Sequence, residues 1–204
     1  MALASGFDRN EDGSVLVEFA VVLPLFLILL FAVIDFGQIY LRWILAEKAT
    51  QTAARVAVVR PPLCAGVPTF NDRAAGAPQV LPFGTSCAAS PGLCSDPGTF
   101  TCTGATAVGD GFDAIEDLVG GFLPASAAPA NVQLTYSFAD LGFLGGPYVP
   151  MVTVDLVGEI DVPFITPLGP LLQAFYGGNG LEDPTMPSMR ATLPAEDLSE
   201  GGPG

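Results

Sequence analysis

One carboxylate, Glu18, stands inside an otherwise apolar run, and residues 13–34 read GSVLVEFAVVLPLFLILLFAVI. An ionised carboxylate within a transmembrane helix costs about 2.5–3.5 kcal/mol on insertion scales. The chemistry open to it there is pairing with a positive charge, which relieves that cost. A glutamate retained at this position therefore needs a functional reason, and Gly13, five residues upstream, points to one.

Residues suited to catalysis are scarce in this sequence. It has no histidine, its single lysine is Lys48, and it lacks the G-x-S-x-G, Walker and G-x-G-x-x-G motifs. An enzyme would need an acid pair such as Asp113 with Glu116 or Asp155 with Glu159. They fit helix capping and solvated strand edges better. We predict no enzymatic activity, no cofactor and no metal.

Four cysteines, Cys64, Cys87, Cys94 and Cys102, follow the apolar run. No pair has C-x-x-C spacing and no histidine could complete a zinc site. An even number in a loop-rich segment predicts two disulfides, with three connectivities open. Disulfides persist in oxidising compartments, so we expect this part of the chain outside the cytosol. Four reduced thiols in a cytosolic domain are the alternative.

The distal part of the chain is strongly acidic. Residues 61–204 carry fifteen acidic residues against two basic ones, Arg73 and Arg190. This balance argues against nucleic acid or anionic lipid as the partner of that part. Its simplest purpose is to keep a Gly- and Pro-rich domain soluble.

The apolar run is long enough to span a membrane. Residues 19–34 are uncharged, the run extends back to Val15, and twenty helical residues cover about 30 Å. No clear A-x-A cleavage site directly follows it, so we expect the segment to remain in the mature protein. Pro24 should kink or loosen the helix, as membrane helices tolerate.

Helical character continues beyond the membrane edge, and Pro61-Pro62 ends it. The sequence predicts one helix from about Ser14 to Val59, about 65–70 Å long. Tyr40 and Trp43 lie where an interfacial aromatic belt is expected. Small residues recur at spacings of three and four, at Ala46, Ala49, Ala53 and Ala57. Such a stripe indicates packing against other helices or docking onto the protein's own domain, and the sequence leaves both open.

The sequence of the distal part predicts a small α+β domain. Residues 61–109 form a disulfide-pinned loop region. A short helix covers 113–122, with Asp113 as its cap and Ile115, Leu118, Val119 and Phe122 on its buried face. Strands are expected at 132–138, where apolar and polar residues alternate, at 151–157 and, less strongly marked, at 189–193. The acidic tail after Pro194 is expected to be mobile.

The N-terminal motif resembles that of type IV pilins and pseudopilins, which a membrane aspartic peptidase cuts after a glycine. A cut after Gly13 makes Ser14 the first residue, Glu18 the fifth and Phe19 the sixth. The stretch EDGSVLVEFAVVLPLFLILLFAVIDFG, followed by a helix rich in A-x-x-A-A-R, is similar to the TadE-like pseudopilins of the tight-adherence (Flp) pilus system. VTVDLVGEIDVPFITPL and SMRATLPAED resemble that family's closing strand pair.

The resemblance implies a structural, non-enzymatic minor pseudopilin. Its partners would be a prepilin peptidase, other pilins or pseudopilins contacted through the N-terminal helix, and an assembly platform in the bacterial inner membrane. Residues 1–13 would be a cytoplasmic leader, 14–60 the helix, 61–109 the cysteine region, 110–197 a periplasmic α+β domain and 198–204 a tail. Incorporation into a surface pilus is a further expectation.

Two features depart from the family's usual pattern. The leader is acidic around Arg9, and more basic residues follow the membrane helix than precede it. The positive-inside rule alone would place the N-terminus outside. The resemblance and the cysteines both place it in the cytoplasm. The alternative function is an unprocessed single-pass anchor that presents an extracytoplasmic binding or adhesion domain. Whether the protein would initiate a pilus or lie in its shaft is left open.

Overall fold

The computed structural model describes residues 12–109, 111–176, 182–196 and 198, without the side chains of residues 12–14, 118, 175 and 176. The fold is α+β, as predicted, and it divides into two compact units. The first holds the described parts of 1–40 and 163–183. The second holds those of 41–162 and 184–204.

Residues 1–11 of the predicted leader lie outside the described residues, as do residues 199–204 of the predicted tail. In the tail after Pro194, Ala195 and Leu198 are buried, and the N–H groups of Ala195 and Glu196 donate to the carbonyls of Pro150 and Val58. The start of the tail is therefore held in the fold, which corrects its expected mobility.

The N-terminal helix is continuous, as the sequence predicted. Helix α1 spans Asp12–Ala57 and passes through Pro24 without a break. Its run from Val15 meets the length and composition required to cross a membrane. Residues 12–40 belong to the first unit and the remainder of α1 to the second.

The first unit contains a second helix that the sequence did not predict. Helix α3 spans Leu168–Tyr176. The Pro167 carbonyl accepts the Leu171 N–H, so Pro167 directly precedes the helix and Pro170 lies in its first turn, where a missing donor is tolerated. Proline and glycine at 167, 169 and 170 concealed this short helix, because both residues usually interrupt one.

The second unit is built on one antiparallel sheet of four strands in the order β1-β2-β3-β4. These are β1 Phe100–Thr103, β2 Val132–Ser137, β3 Met151–Leu156 and β4 Met189–Pro194. The three predicted strands are present, and β3 pairs with β4 as the resemblance implied. Strand β1 corrects the interpretation of residues 61–109 as loop only. Its four residues are too few to show alternation, and its partner β2 begins 29 positions later.

The short helix α2 spans Gly111–Val119, two to three residues earlier than predicted. Asp113 therefore lies inside the first turn rather than at the cap, so the predicted capping box was wrong. Ile115 and Val119 are buried as expected. Phe122 lies beyond the helix and is 40% exposed, which corrects its predicted burial. The Leu118 side chain lies outside the described residues.

Small residues of α1 meet the sheet inside the second unit. Val132, Val154 and Leu156 of β2 and β3 line one small cavity with Ala49 and Ala53 of α1. The four alanines of the predicted stripe are all buried. Of the two alternatives, docking onto the protein's own domain is therefore the one found, because small side chains let the helix backbone approach the sheet closely.

Two disulfides are present, Cys64–Cys102 and Cys87–Cys94. The first connects the segment after α1 to β1. The second lies in a separate hydrophobic cluster with Ala77, Leu93 and Leu144. Each disulfide therefore fixes a different part of the region that has little regular structure.

Candidate functional site

The first candidate is the apolar surface of α1. Its large side chains between Val15 and Ile34 are mostly exposed, and no residue of its most apolar window is fully buried. Leu25, Leu29 and Val33 are each 65% exposed. A surface of this size without intramolecular cover marks a site for lipid or another protein.

Glu18 lies on this exposed surface. Val15, Glu18, Phe19 and Val22 line one shallow depression, at the spacing that places helical residues on a common face. Phe19 is 60% exposed. Glu18 is exposed and makes no hydrogen bond or ion pair with the residues that the structure describes. The structure thus brings the two predicted assembly residues together on one face and leaves that face open.

Gly13 and Ser14 lie in the first turn of α1, where their backbone is helical. The Ser14 nitrogen is one turn before Glu18, since residues four apart share a helix face. Their side chains lie outside the described atoms. Cleavage between them stays a prediction.

A second carboxylate on α1, Asp35, was missed as a functional residue. It is 1% exposed and belongs to the first unit. Its Oδ1 atom accepts the N–H groups of Ile165 at 3.1 Å and Thr166 at 3.0 Å. The Thr166 hydroxyl donates to Oδ2. The sequence marked Asp35 only as the residue that ends the uncharged run, and its partners lie 130 residues away.

The acid pairs considered for catalysis are occupied or solvated. Asp155 Oδ1 accepts the Arg190 Nε–H at 2.7 Å from the neighbouring strand. This bond to Asp155 raises the pKa of Arg190. Glu159, Asp113 and Glu116 are exposed. Among the described residues no cluster of histidine, cysteine or acidic side chains could hold a metal ion.

Polar groups in the second unit serve its internal structure. The Tyr136 hydroxyl accepts the Leu63 N–H at 3.1 Å, and burial raises the pKa of Tyr136. Arg73 donates to the carbonyls of Pro78 and Leu81, each at 2.6 Å. Both basic residues of the distal part, Arg73 and Arg190, are therefore engaged within the fold.

Comparison with known proteins gives a match on α1, the helix that carries Glu18 and the exposed apolar surface. A family model described as TadE-like protein matches residues 13–55. No curated protein and no solved structure matches the chain. The match begins at Gly13 and includes Glu18, the exposed apolar surface and most of the alanine stripe. TadE-like proteins are structural components associated with tight-adherence pili. Residues 13–55, which make up most of α1, are therefore similar to TadE-like proteins.

Proposed function

We propose that this protein is a minor pseudopilin needed for assembly of a tight-adherence pilus. In this proposal a prepilin peptidase cuts after Gly13, and α1 packs against other pilins or pseudopilins at the inner-membrane assembly platform. The observation that carries the proposal is Glu18, unpaired among the described residues on an exposed apolar helix, five positions after Gly13.

The physical reason concerns the charge of Glu18. Cleavage would leave a cationic amine on Ser14, and helix assembly would bring the Glu18 carboxylate to the amine of a neighbouring subunit. Pairing relieves the cost of a carboxylate in lipid only when the helices stack in one register. Glu18 then sets the register of assembly, with Phe19 packing beside it.

The disulfides support one orientation. They require an oxidising environment, which for a bacterial inner-membrane protein is the periplasm. The N-terminus would then be cytoplasmic, the second unit periplasmic, and the mature protein available for incorporation into a pilus.

Processing is tested by Gly13→Leu. The peptidase would be unable to accept the larger side chain, so the variant should keep its leader while inserting normally into the membrane. A matched control is Gly37→Leu, because Gly37 is also on α1 and a Cβ there meets no atom within 4 Å. A Gly13→Leu protein that still begins at Ser14 would contradict the proposed site.

The role of Glu18 is tested by Glu18→Ala and Glu18→Gln, with Glu47→Ala as the control. Glu47 is an exposed carboxylate further along the same helix, with Gln51 as its partner at 3.4 Å. Both Glu18 variants should insert and be processed yet give few or no pili, whereas Glu47→Ala should assemble normally. Normal piliation in both Glu18 variants would remove Glu18 from the account.

A further inference from the structure

Residues 163–176 differ in charge from the rest of the distal chain. The segment PFITPLGPLLQAFY contains no Asp, Glu, Lys or Arg, although the region after residue 60 carries fifteen acids. Ile165 is 63% exposed, and Pro163, Pro167 and Pro170 are also exposed. An uncharged and partly exposed apolar segment stands out in a part of the sequence that is otherwise rich in acidic residues.

Asp35 fixes where this segment begins along α1. Its carboxylate accepts the N–H groups of Ile165 and Thr166, within one compact unit. Asp35 is the residue that immediately follows the uncharged run of residues 19–34. The start of the segment therefore lies level with the end of the membrane-length run.

The face of α1 that carries Asp35 is partly covered. Half-buried side chains lie on it at helical spacing, namely Pro24, Leu27, Ile28, Phe31 and Ala32. A different face carries Leu25, Leu29 and Val33, which are each 65% exposed. Helix α3 belongs to the same unit, and its nine residues are about 14 Å long. If α3 lies back along α1 from the level of Asp35, it covers about nine residues, which matches the extent of the half-buried stripe.

We propose that residues 163–176 lie in the bilayer beside α1 and contact lipid acyl chains in the leaflet nearer Asp35. A bilayer core of about 30 Å needs about twenty helical residues, which residues 15–34 supply. If α3 covered 24–32 from outside the bilayer, only residues 15–23 would remain to span it, about 14 Å of helix. The proposal rests on the membrane insertion that the proposed function requires.

Backbone polarity is compatible with this location. Polar backbone groups in lipid must be satisfied within the protein. The N–H groups that precede α3 donate to carboxylates: Phe164 to Asp183 at 3.2 Å, and Ile165 and Thr166 to Asp35. The same bonds stabilise the Asp35 carboxylate at the edge of the apolar run.

Tryptophan fluorescence in vesicles with brominated acyl chains tests the proposal, because bromine quenches only tryptophans near the acyl chains. The native Trp43 is first changed to Phe in the full chain, and one tryptophan is then added. Ala174→Trp reports on α3, where Ala174 is exposed. Phe26→Trp reports on α1, and Val80→Trp, at an 88% exposed position of the second unit, is the solvent control. Circular dichroism checks that each variant keeps its fold.

In phosphatidylcholine vesicles, Phe26→Trp and Ala174→Trp should both be quenched, with Val80→Trp unaffected. Quenching of Phe26→Trp while Ala174→Trp behaves like Val80→Trp would overturn the inference and leave the membrane helix intact. Failure of Phe26→Trp to be quenched would instead contradict membrane insertion, and with it the proposed function.

Discussion

In the N-terminal part of α1 large side chains are exposed, whereas in its C-terminal part small side chains are buried. Between Val15 and Ile34 the side chains are large and mostly exposed, whereas Ala46, Ala49, Ala53 and Ala57 are at most 2% exposed. In a soluble helix the large apolar residues would face the core. The N-terminal part of α1 therefore presents its apolar surface to partners outside the chain. The small residues of the C-terminal part allow α1 to pack closely against the sheet.

Removing the Cys64–Cys102 disulfide should have the largest effect, and only on the part of α1 that packs on the sheet. This bond closes a sequence separation of 38 residues, against 7 for Cys87–Cys94. Chain entropy predicts a loss of about 4 kcal/mol in the free energy of unfolding for Cys64→Ser with Cys102→Ser, and about 2.5 kcal/mol for the other pair. Denaturant titration in detergent measures both.

Membrane retention of the same variants tests the independence of the two parts. The N-terminal part of α1 should still resist alkaline extraction from membranes, because its insertion depends on residues 15–34 alone. Loss of membrane retention in the Cys64→Ser, Cys102→Ser protein would contradict the independence of the two parts of α1.

Changing the size of one side chain in each part of α1 should affect stability differently. Ala53→Leu inserts three carbons where α1 meets β2 and β3, and overpacking of this kind costs about 1–3 kcal/mol. Leu29→Ala removes three carbons from an exposed position and should change the free energy of unfolding by less than about 0.5 kcal/mol. Equal losses in the two variants would show that the exposed surface is packed after all.

Asp35→Ala tests the connection between α1 and the segment before α3. It leaves the Ile165 and Thr166 N–H groups without their acceptor, at a local cost of about 1–3 kcal/mol. Amide hydrogen exchange at these two residues should accelerate, while the melting temperature of the second unit stays unchanged. Unchanged exchange at Ile165 and Thr166 would mean that Asp35 does not hold them.

A smaller, pH-dependent effect is expected at Tyr148. Burial, and secondarily the charge of Asp96, raise the pKa of Tyr148 to about 12. Because the folded state holds this proton more tightly than the unfolded state, the stabilisation is complete below about pH 10. It is lost as the pH rises towards 12.

Tyr148→Phe should reduce this alkaline loss of stability, measured by thermal melts between pH 9 and about 12. Within the described part of the chain the Tyr148 hydroxyl has no hydrogen-bond partner, so Phe removes little else. Tyr40→Phe is the control, since Tyr40 is 62% exposed on α1. Identical alkaline profiles for wild type and Tyr148→Phe would contradict the assignment.

Local patterns predicted the elements whose own residues carry a periodic signal. The uncharged run gave α1, and the alternation of Val132, Leu134 and Tyr136 gave β2, whose three side chains are buried as expected. Strand β1 was missed because it has only four residues and pairs with the distant β2, and helix α3 was missed because proline and glycine in and before its first turn usually interrupt a helix. The sequence also could not decide what covered the alanine stripe, since small residues favour close approach to a helix or a sheet alike.

The part of the candidate site that depends on local spacing could also be predicted from the sequence. Gly13 and Glu18 are recognised by spacing within six residues, so no tertiary information was needed. Asp35 resembles an ordinary residue at the end of a membrane segment, and its role depends on Ile165 and Thr166, far away in the chain. Local motifs can be read from one sequence, whereas long-range hydrogen bonds require the fold.

The central claim is that Glu18 acts beside an amine created by cleavage after Gly13. Intact mass measurement of the membrane-extracted wild-type protein, with N-terminal sequencing, tests it most directly. The account predicts a mature chain that lacks residues 1–13 and begins Ser-Val-Leu-Val-Glu. A membrane protein that retains those residues in cells that make pili would contradict it and favour the unprocessed anchor.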